Sequence, residues 1–403
     1  MPDGREPTTV NVIGSIAEIE AAEWDACAGA ENPFCRHGFL SAMEDSGSVN
    51  AETGWMPRHL AVRGEAGGLI AAAPLYLKSH SYGEYVFDWG WAEAYERAGG
   101  RYYPKLLSAI PFTPATGRRL LVRDDITDAV KDDLADALAA AMIKLARRLG
   151  VSSLHVTFPT EAEWKRLGKH GLLLRTGQQF HWHNRGYESF DDFLADLNSR
   201  KRKAIRKERA AVAKHSLHIR ALSGADITEA HWDAFYRFYR DTSDKKWGAS
   251  YLNREFFSLL GERMGESVVL IMAEDGGRPV AGALNLAGRD TLFGRNWGSE
   301  ADYKFLHFEA CYYQAIDYAI AHRLEWVEAG AQGPHKVQRG YLPRLTYSAH
   351  WIADPGLKSA VERFIAGERR EIDYQMKMFL ARSPSARTSA NGGLKRGLKM
   401  PSP

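Results

Sequence analysis

Apolar and polar positions along the chain follow two rhythms, one of strands and one of helices. Arg58–Val62 and Leu69–Leu77 flank a Gly64–Gly68 turn and predict a hairpin, and Tyr85–Trp91 reads as an aromatic strand. In Asp125–Gly150, spacing of three and four puts Val130, Leu134, Leu138, Met142, Leu145 and Leu149 on one helix face, with Gly150 as the stop. Ser153–Phe158 then returns to a strand pattern. The second half repeats this plan: strands Ser267–Ala273 and Val280–Leu286 about a Glu274–Gly277 turn, strand Thr291–Trp297, helix Phe305–His322 and strand Glu325–Glu328. Ahead of these elements the second half carries extra predicted helices, Ser189–Leu197, Asn198–Lys214, Asp226–Lys246 and Asn253–Met264, with a strand at Ser216–Leu222. Pro355–Leu380 reads as a terminal helix with Val361, Phe364, Ile365, Ile372, Met376 and Phe379 on or near one face.

Two short echoes support a duplication. Gly67–Ala73 resembles Gly276–Ala283, and Phe87–Trp91 resembles Phe293–Trp297 at nearly the same offset. The expectation is an α/β (α+β) fold of two similar domains, each a largely antiparallel sheet flanked by helices. Residues 1–175 would form the first and 176–380 the second, with the boundary near Gly171–Gln178. The remainder, 381–403, is rich in Ser, Pro, Gly, Arg and Lys and is expected to be a disordered basic tail.

Composition excludes several classes. Apolar residues make up 45% and charged residues 26%, as in an ordinary globular protein, and no apolar run approaches the roughly 18–20 residues that span a bilayer. Met1–Val12 lacks the order of a signal peptide, and Cys27, Cys35 and Cys311 form neither a disulfide framework nor a CxxC pattern. A reduced, cytoplasmic protein is expected. His181 and His183 share a strand face, but no acidic or Cys partner lies at ligand spacing, so no metal is expected. Walker, GxGxxG and GxSxG motifs are missing.

Charge changes the picture more than its total suggests. The chain has 53 Lys and Arg against 50 Asp and Glu, a net of +3. Within Arg200–Lys214, eight basic residues face Glu208 alone, and the tail carries five with no acid, so the rest of the chain is acidic. Like charges at helical spacing repel, and an anion would offset this. Coenzyme A phosphates, a tRNA backbone and anionic lipid head groups all qualify.

Two further segments carry candidate chemistry. On Phe305–His322, Glu309 and Tyr313 sit one turn apart at the edge of an apolar stripe, near Asn296, Trp297 and His307. A carboxylate half-buried against aromatics has its pKa raised, as a general base requires. Glu328–Tyr341 leaves a strand through small residues, which let backbone N–H groups approach a ligand, and then presents His335, Lys336 and Arg339. The polar–aromatic clusters His80–Glu84 and Tyr102–Lys105 either line a cleft or pack internally.

Asn32–Leu40, Pro74–Asp88, Arg101–Lys105, Pro111–Pro114, Arg200–Arg209, His307–Glu309, Cys311–Tyr313 and Glu328–Gly333 together resemble the FemAB-like predicted N-acyltransferases, from about residue 30 to 370. The resemblance implies a tandem GNAT fold and amide formation between an activated acyl donor and an amine. It also brings in a subfamily that includes bacterial ceramide synthases, which join a fatty acyl thioester to a sphingoid base. Two positions depart from the family. Pro334 stands where its loop usually has an acid before the His, and Trp297-Gly298-Ser299-Glu300 replaces the usual GNAT pyrophosphate loop.

The expected reaction is therefore direct aminolysis of a long-chain acyl-CoA by a lipid amine such as a sphingoid base. Glu309 or His335 would act as base and Tyr313 would protonate the leaving group, with backbone N–H groups after Gly330 at the oxyanion. Lys201, Arg202, Arg206, Lys336 and Arg339 would hold donor phosphates, with Asn296 and Trp297 lining the substrate. Acyl-CoA serves as co-substrate, no bound cofactor is needed, and the basic elements suit peripheral contact with an anionic inner-membrane surface. The alternatives are an aminoacyl-tRNA-dependent transferase of the Fem type, acting on a peptidoglycan precursor or peptide, and a non-catalytic module that recognises an envelope amine.

Overall fold

The computed structural model describes residues 9–247, 250–330 and 333–381. The predicted basic tail, apart from Ala381, and the two residues after Gly330 lie outside the described residues. In the first half the strands are β1 (Val10–Ile13), β2 (Trp55–Pro57), β3 (His59–Arg63), β4 (Leu69–Ala73), β5 (Tyr76–Lys78), β6 (Lys105–Ser108), β7 (Leu121–Val122) and β8 (Ser153–Thr157). Its helices are α1 (Ala21–Ala28), α2 (His37–Asp45), α3 (Trp89–Arg97), α4 (Asp128–Leu149) and α5 (Glu161–Lys169). The long strand β9 (Leu173–His183) leads to α6 (Phe190–Ala195), α7 (Ser199–Ala213), β10 (His218–Leu222), α8 (Glu229–Trp247) and α9 (Arg254–Met264). Then come β11 (Val268–Asp275), β12 (Arg278–Ala287), β13 (Thr291–Ser299), α10 (Leu306–Phe308), a π-helical turn at Glu309–Tyr313, α11 (Gln314–Ala321), β14 (Trp326–Glu328), β15 (Leu342–Ile352) and α12 (Pro355–Ala381).

Both halves build the same unit from the same local signals. A hairpin leads to a strand, a helix crosses over, and the next strand returns parallel to the one before the helix. This makes β6 parallel to β8 and β13 parallel to β14, while every other recorded pairing is antiparallel. Gly150 ends α4 in the left-handed conformation (φ 62°), and Gly276 and Gly277 (φ 56° and 81°) turn the β11–β12 hairpin, as their positions predict.

The closing strands of the two units are exchanged. β9, from the first, pairs with β14 of the second, and β15, from the second, pairs with β8 of the first. β9 and β15 also pair with each other over nine residues, from Leu342↔His181 to His350↔Leu173. One sheet of order β10-β11-β12-β13-β14-β9-β15-β8-β6-β5-β2 results, beside a smaller sheet β1-β3-β4-β7. The expected 175/176 division falls inside β9.

Three expectations are corrected. Leu69–Leu77 is not one strand: Pro74 lacks an N–H for a ladder, so the chain breaks there and β4 and β5 join different sheets. Phe87–Trp91 is not a strand but the approach to and start of α3. Burial of Asp88 against Lys105 (2.5 Å) overrides the strand preference of the aromatics, so the second echo joins a loop–helix junction to a true strand, β13. Helix Phe305–His322 is not continuous, since Phe305 takes φ 70° and the π-turn interrupts it.

Candidate active site

β13 and β14 pair for three residues, Thr291↔Trp326 to Phe293↔Glu328, and no further. β13 stays bonded to β12 as far as Ser299, with a bulge at Leu284/Asn285 that leaves Arg295 without a register partner. A side chain at Gly294 would put its Cβ 3.1 Å from the Glu328 carbonyl oxygen, so glycine lets the two backbones stay close where the ladder ends. The ladder therefore ends at the carboxyl ends of two parallel strands, a usual place for a ligand in an α/β sheet. The π-turn and a 3-10 turn at Pro334–Arg339 border it. Lys336 fixes the chain leaving β14 by donating from Nζ to the carbonyls of Ala329 (2.5 Å) and Gly330 (2.9 Å). Burial pushes its pKa down to about 8.

His335 is exposed, and its Nε2 lies 3.0 Å from the Tyr312 hydroxyl. Partial desolvation of its ring, then Arg339 and Lys336, lower its pKa below 6.5, so the imidazole is neutral at pH 7. Trp297, His307 and Tyr312 continue as an edge-to-face aromatic series, with centroids 5.3 Å and 5.5 Å apart. Asn296 lies beside Trp297 on β13. Gly333 (φ 118°) precedes this group, and a Cβ there would fall 2.5 Å from His335 Cε1. Gly333→Ala is therefore expected to strain the backbone, displace the imidazole and lower turnover at least tenfold, as kinetics would show.

Glu309 and Tyr313 belong to a network that clamps α7 onto the π-turn. Glu309 Oε1 accepts from Arg209 (2.9 Å) and Gln314 (2.8 Å), while Oε2 is buried without a hydrogen-bond partner. Arg209 also pairs with Asp317 at 2.7 Å. Tyr313, wholly buried, donates to Glu208 and accepts from Arg339 Nε (3.1 Å). Arg339 continues to Glu208 (2.9 Å) and to the His335 carbonyl (3.1 Å), with its guanidinium 3.4 Å from the Phe308 ring centroid. Glu309, Tyr313, His335, Lys336 and Arg339 are thus brought together, and Lys201 joins them through Gln338 (3.0 Å).

The other basic candidates are engaged elsewhere. Arg202 lies 3.3–3.4 Å from three carbonyls at the end of α6, and Arg206 pairs with Asp191 at 2.8 Å. Arg200, Lys203 and Lys207 form an outward stripe of α7 with no ion pair recorded among the described residues. Sequence reasoning missed Arg209 and Glu208, whose roles depend on partners about a hundred residues away, and it gave Tyr312 no role in the chemistry. Glu328 was also missed. It ends β14 with its carboxyl pushed up to about 8 by burial, against the opposing pull of Arg344, Arg295 and Arg119. No cluster of three or more His, Cys, Asp or Glu suited to a metal ion occurs among the described residues. His181 faces Glu328 at 3.8 Å, and His183 stacks on Trp326.

The profile of the FemAB-like family, described as peptidoglycan biosynthesis/recognition, matches residues 15–387. The chain belongs to the FemAB-like family. Among solved structures, this FemAB-like protein is similar to FemX at 12% identity and TM-score 0.54, over 85% of this chain and 98% of that one. It is also similar to L-PGS from Bacillus licheniformis at 10% identity and TM-score 0.50, over 84% and 98%. At such identities the likeness shows a shared fold, and that fold is the mixed, largely antiparallel tandem arrangement expected. No curated protein matches the chain by sequence. Family membership supports an acyltransferase-type activity for the FemAB-like protein. Among its described residues, no helix is long and apolar enough to cross a membrane.

Proposed function

We propose that this FemAB-like protein is an N-acyltransferase that joins a long-chain acyl thioester to a lipid amine, such as a sphingoid base, at the carboxyl ends of β13 and β14. The observation that carries the reading is the neutral His335 bonded to Tyr312 beside those strand ends. An alkylammonium, with pKa about 10, must lose a proton before it attacks. In the proposed reaction the ammonium first releases one proton to solvent, and as the neutral amine attacks, its second proton passes to Tyr312 while Tyr312 passes its own to His335 Nε2. The new C–N bond forms, the C–S bond breaks, and the proton on His335 returns to the departing thiolate. Glu309, Tyr313 and Arg339 act as positioning residues: Glu309 and Tyr313 hold α7 in place, and Arg339 holds the His335 backbone. Lys201 and the outward stripe Arg200, Lys203 and Lys207 are the cations proposed for donor phosphates, while Asn296 and Trp297 face the acyl group.

The family description and the FemX likeness favour a second reading, in which the donor is an aminoacyl-tRNA and the acceptor a peptidoglycan precursor. A deletion strain separates the two. Loss of one amide-linked lipid with accumulation of its free amine is the expected result. Unchanged lipids with altered wall peptides would assign the second reading, and no turnover by the purified protein with either donor would leave a recognition module.

A further inference from the structure

The segment Ser81–Gly90 inverts the usual arrangement of a surface loop. Its polar side chains Ser81, Glu84 and Asp88 are buried, whereas Tyr82, Phe87 and Trp89 are 56%, 51% and 39% exposed. The inversion is enforced from beneath. Lys105, itself fully buried, donates from one ammonium to Ser81 (2.7 Å), Glu84 (2.8 Å) and Asp88 (2.5 Å). Lys78 reaches the Tyr82 carbonyl at 3.3 Å. Both acids of the segment are thereby withdrawn from solvent, and its outer face carries aromatic surface without charge.

Neighbouring features extend that face. Tyr82 and Trp89 pack edge to face at 4.7 Å. Phe364 of α12, 49% exposed, adds to it through Trp91 at 6.0 Å. The charges that follow on α3 and after it are balanced and exposed: Glu93 pairs with Arg97 at 3.6 Å, and Glu96 and Arg101 lie beside them. The inner side of the same loop, at Tyr85 and Val86, walls a cavity of about 180 Å³ in which Thr176, 8% exposed, has a buried hydroxyl without a partner. Tyr and Trp, with apolar bodies and polar tips, are the side chains that settle at the boundary of lipid and water.

We infer that the Ser81–Gly90 loop is a rigid docking element for a lipid bilayer. Its tip enters the interfacial layer through Tyr82, Phe87 and Trp89, and its inner wall faces the cavity on the protein side. The occupant is a membrane because both acids of the loop are turned inward, its outer face is uncharged, and Tyr82 and Trp89 are the side chains that settle at a lipid–water boundary. The inference rests on the lipid-amine reading for its purpose but not for its test.

Flotation with phosphatidylcholine vesicles, with and without phosphatidylglycerol, tests it on the full chain. Wild type is expected to bind both, with little change at 0.5 M salt, and Tyr82→Ser/Trp89→Ser to bind at least tenfold more weakly with an unchanged melting temperature. Three results would overturn the inference. They are no vesicle binding by wild type, equal binding by the variant, or binding that requires phosphatidylglycerol and vanishes in salt, which would move the contact to basic segments. A wild-type dimer that dissociates in the variant would assign the face to a second copy instead. Vesicle binding without turnover would remove the acyltransferase reading alone, and turnover without vesicle binding would remove the docking element alone.

Discussion

Lys105→Met is expected to destabilise the protein by about 3–5 kcal/mol, among the largest effects of any single change, because it strands two buried carboxyls without their bridging cation. Glu84 and Asp88 are 4% and 1% exposed, and Lys105 bridges them. Glu84 already has its pKa pushed up to about 7 by burial in spite of that cation. Lys105, with His155 nearby, holds Asp88 well below its usual range against the upward pull of burial. The pH dependence follows from the sign of each shift. A carboxyl whose folded pKa exceeds its unfolded value costs stability as pH rises through the interval between them. Removing Lys105 raises both folded values, so the deficit should be larger at pH 8 than at pH 5. Neutralising the site together, as Lys105→Met/Glu84→Gln/Asp88→Asn, should recover most of the loss. Denaturant unfolding at the two pH values measures all three quantities, and an equal deficit at both would contradict the account.

The same cluster shows how far the sequence could be read. Its residues stood out as the polar–aromatic segments His80–Glu84 and Tyr102–Lys105, but whether they lined a cleft or packed depended on a partner strand. Local signals located the elements well where one physical cause dominates, as with the apolar stripe and Gly150 of α4. They failed where tertiary contacts overrule propensity: Asp88, drawn to Lys105, turns an aromatic strand pattern into the entry to a helix. Nothing in β9 or β15 alone announces their exchange, since an edge that pairs with β14 looks locally like one that pairs with β8.

The site was legible to the same degree. His335, Lys336 and Arg339 were visible because small residues precede closely spaced cations, and Glu309 and Tyr313 because they flank an apolar stripe. Their work could not be divided from spacing. The basic helix had appeared to need an outside anion, yet acids and carbonyls of the chain itself engage Arg202, Arg206 and Arg209. The charges left over, at Arg200, Lys201, Lys203, Lys207 and Lys214, are fewer than the net count suggested.

His335→Ala is expected to lower kcat/KM by about 10²–10⁴-fold, the range for loss of a positioned acid–base group. The structural change is small because the ring is exposed and bonded through one nitrogen to Tyr312. The neutral imidazole is the active form and its pKa is lowered from 6.5, so the acid limb of the wild-type pH profile should lie below pH 6.5. Tyr312→Phe separates chemistry from packing. With Tyr312 as donor, its hydroxyl stabilises the neutral ring, and its removal should move the acid limb upward toward 6.5 while also slowing the relay. A residue that only filled space would change the rate without moving the limb. Added imidazole should partly restore His335→Ala, since the deleted ring leaves a space open to solvent. A His335→Ala variant that keeps full turnover would transfer the base to Glu328, the other carboxyl or imidazole poised near neutrality where the β13–β14 ladder ends.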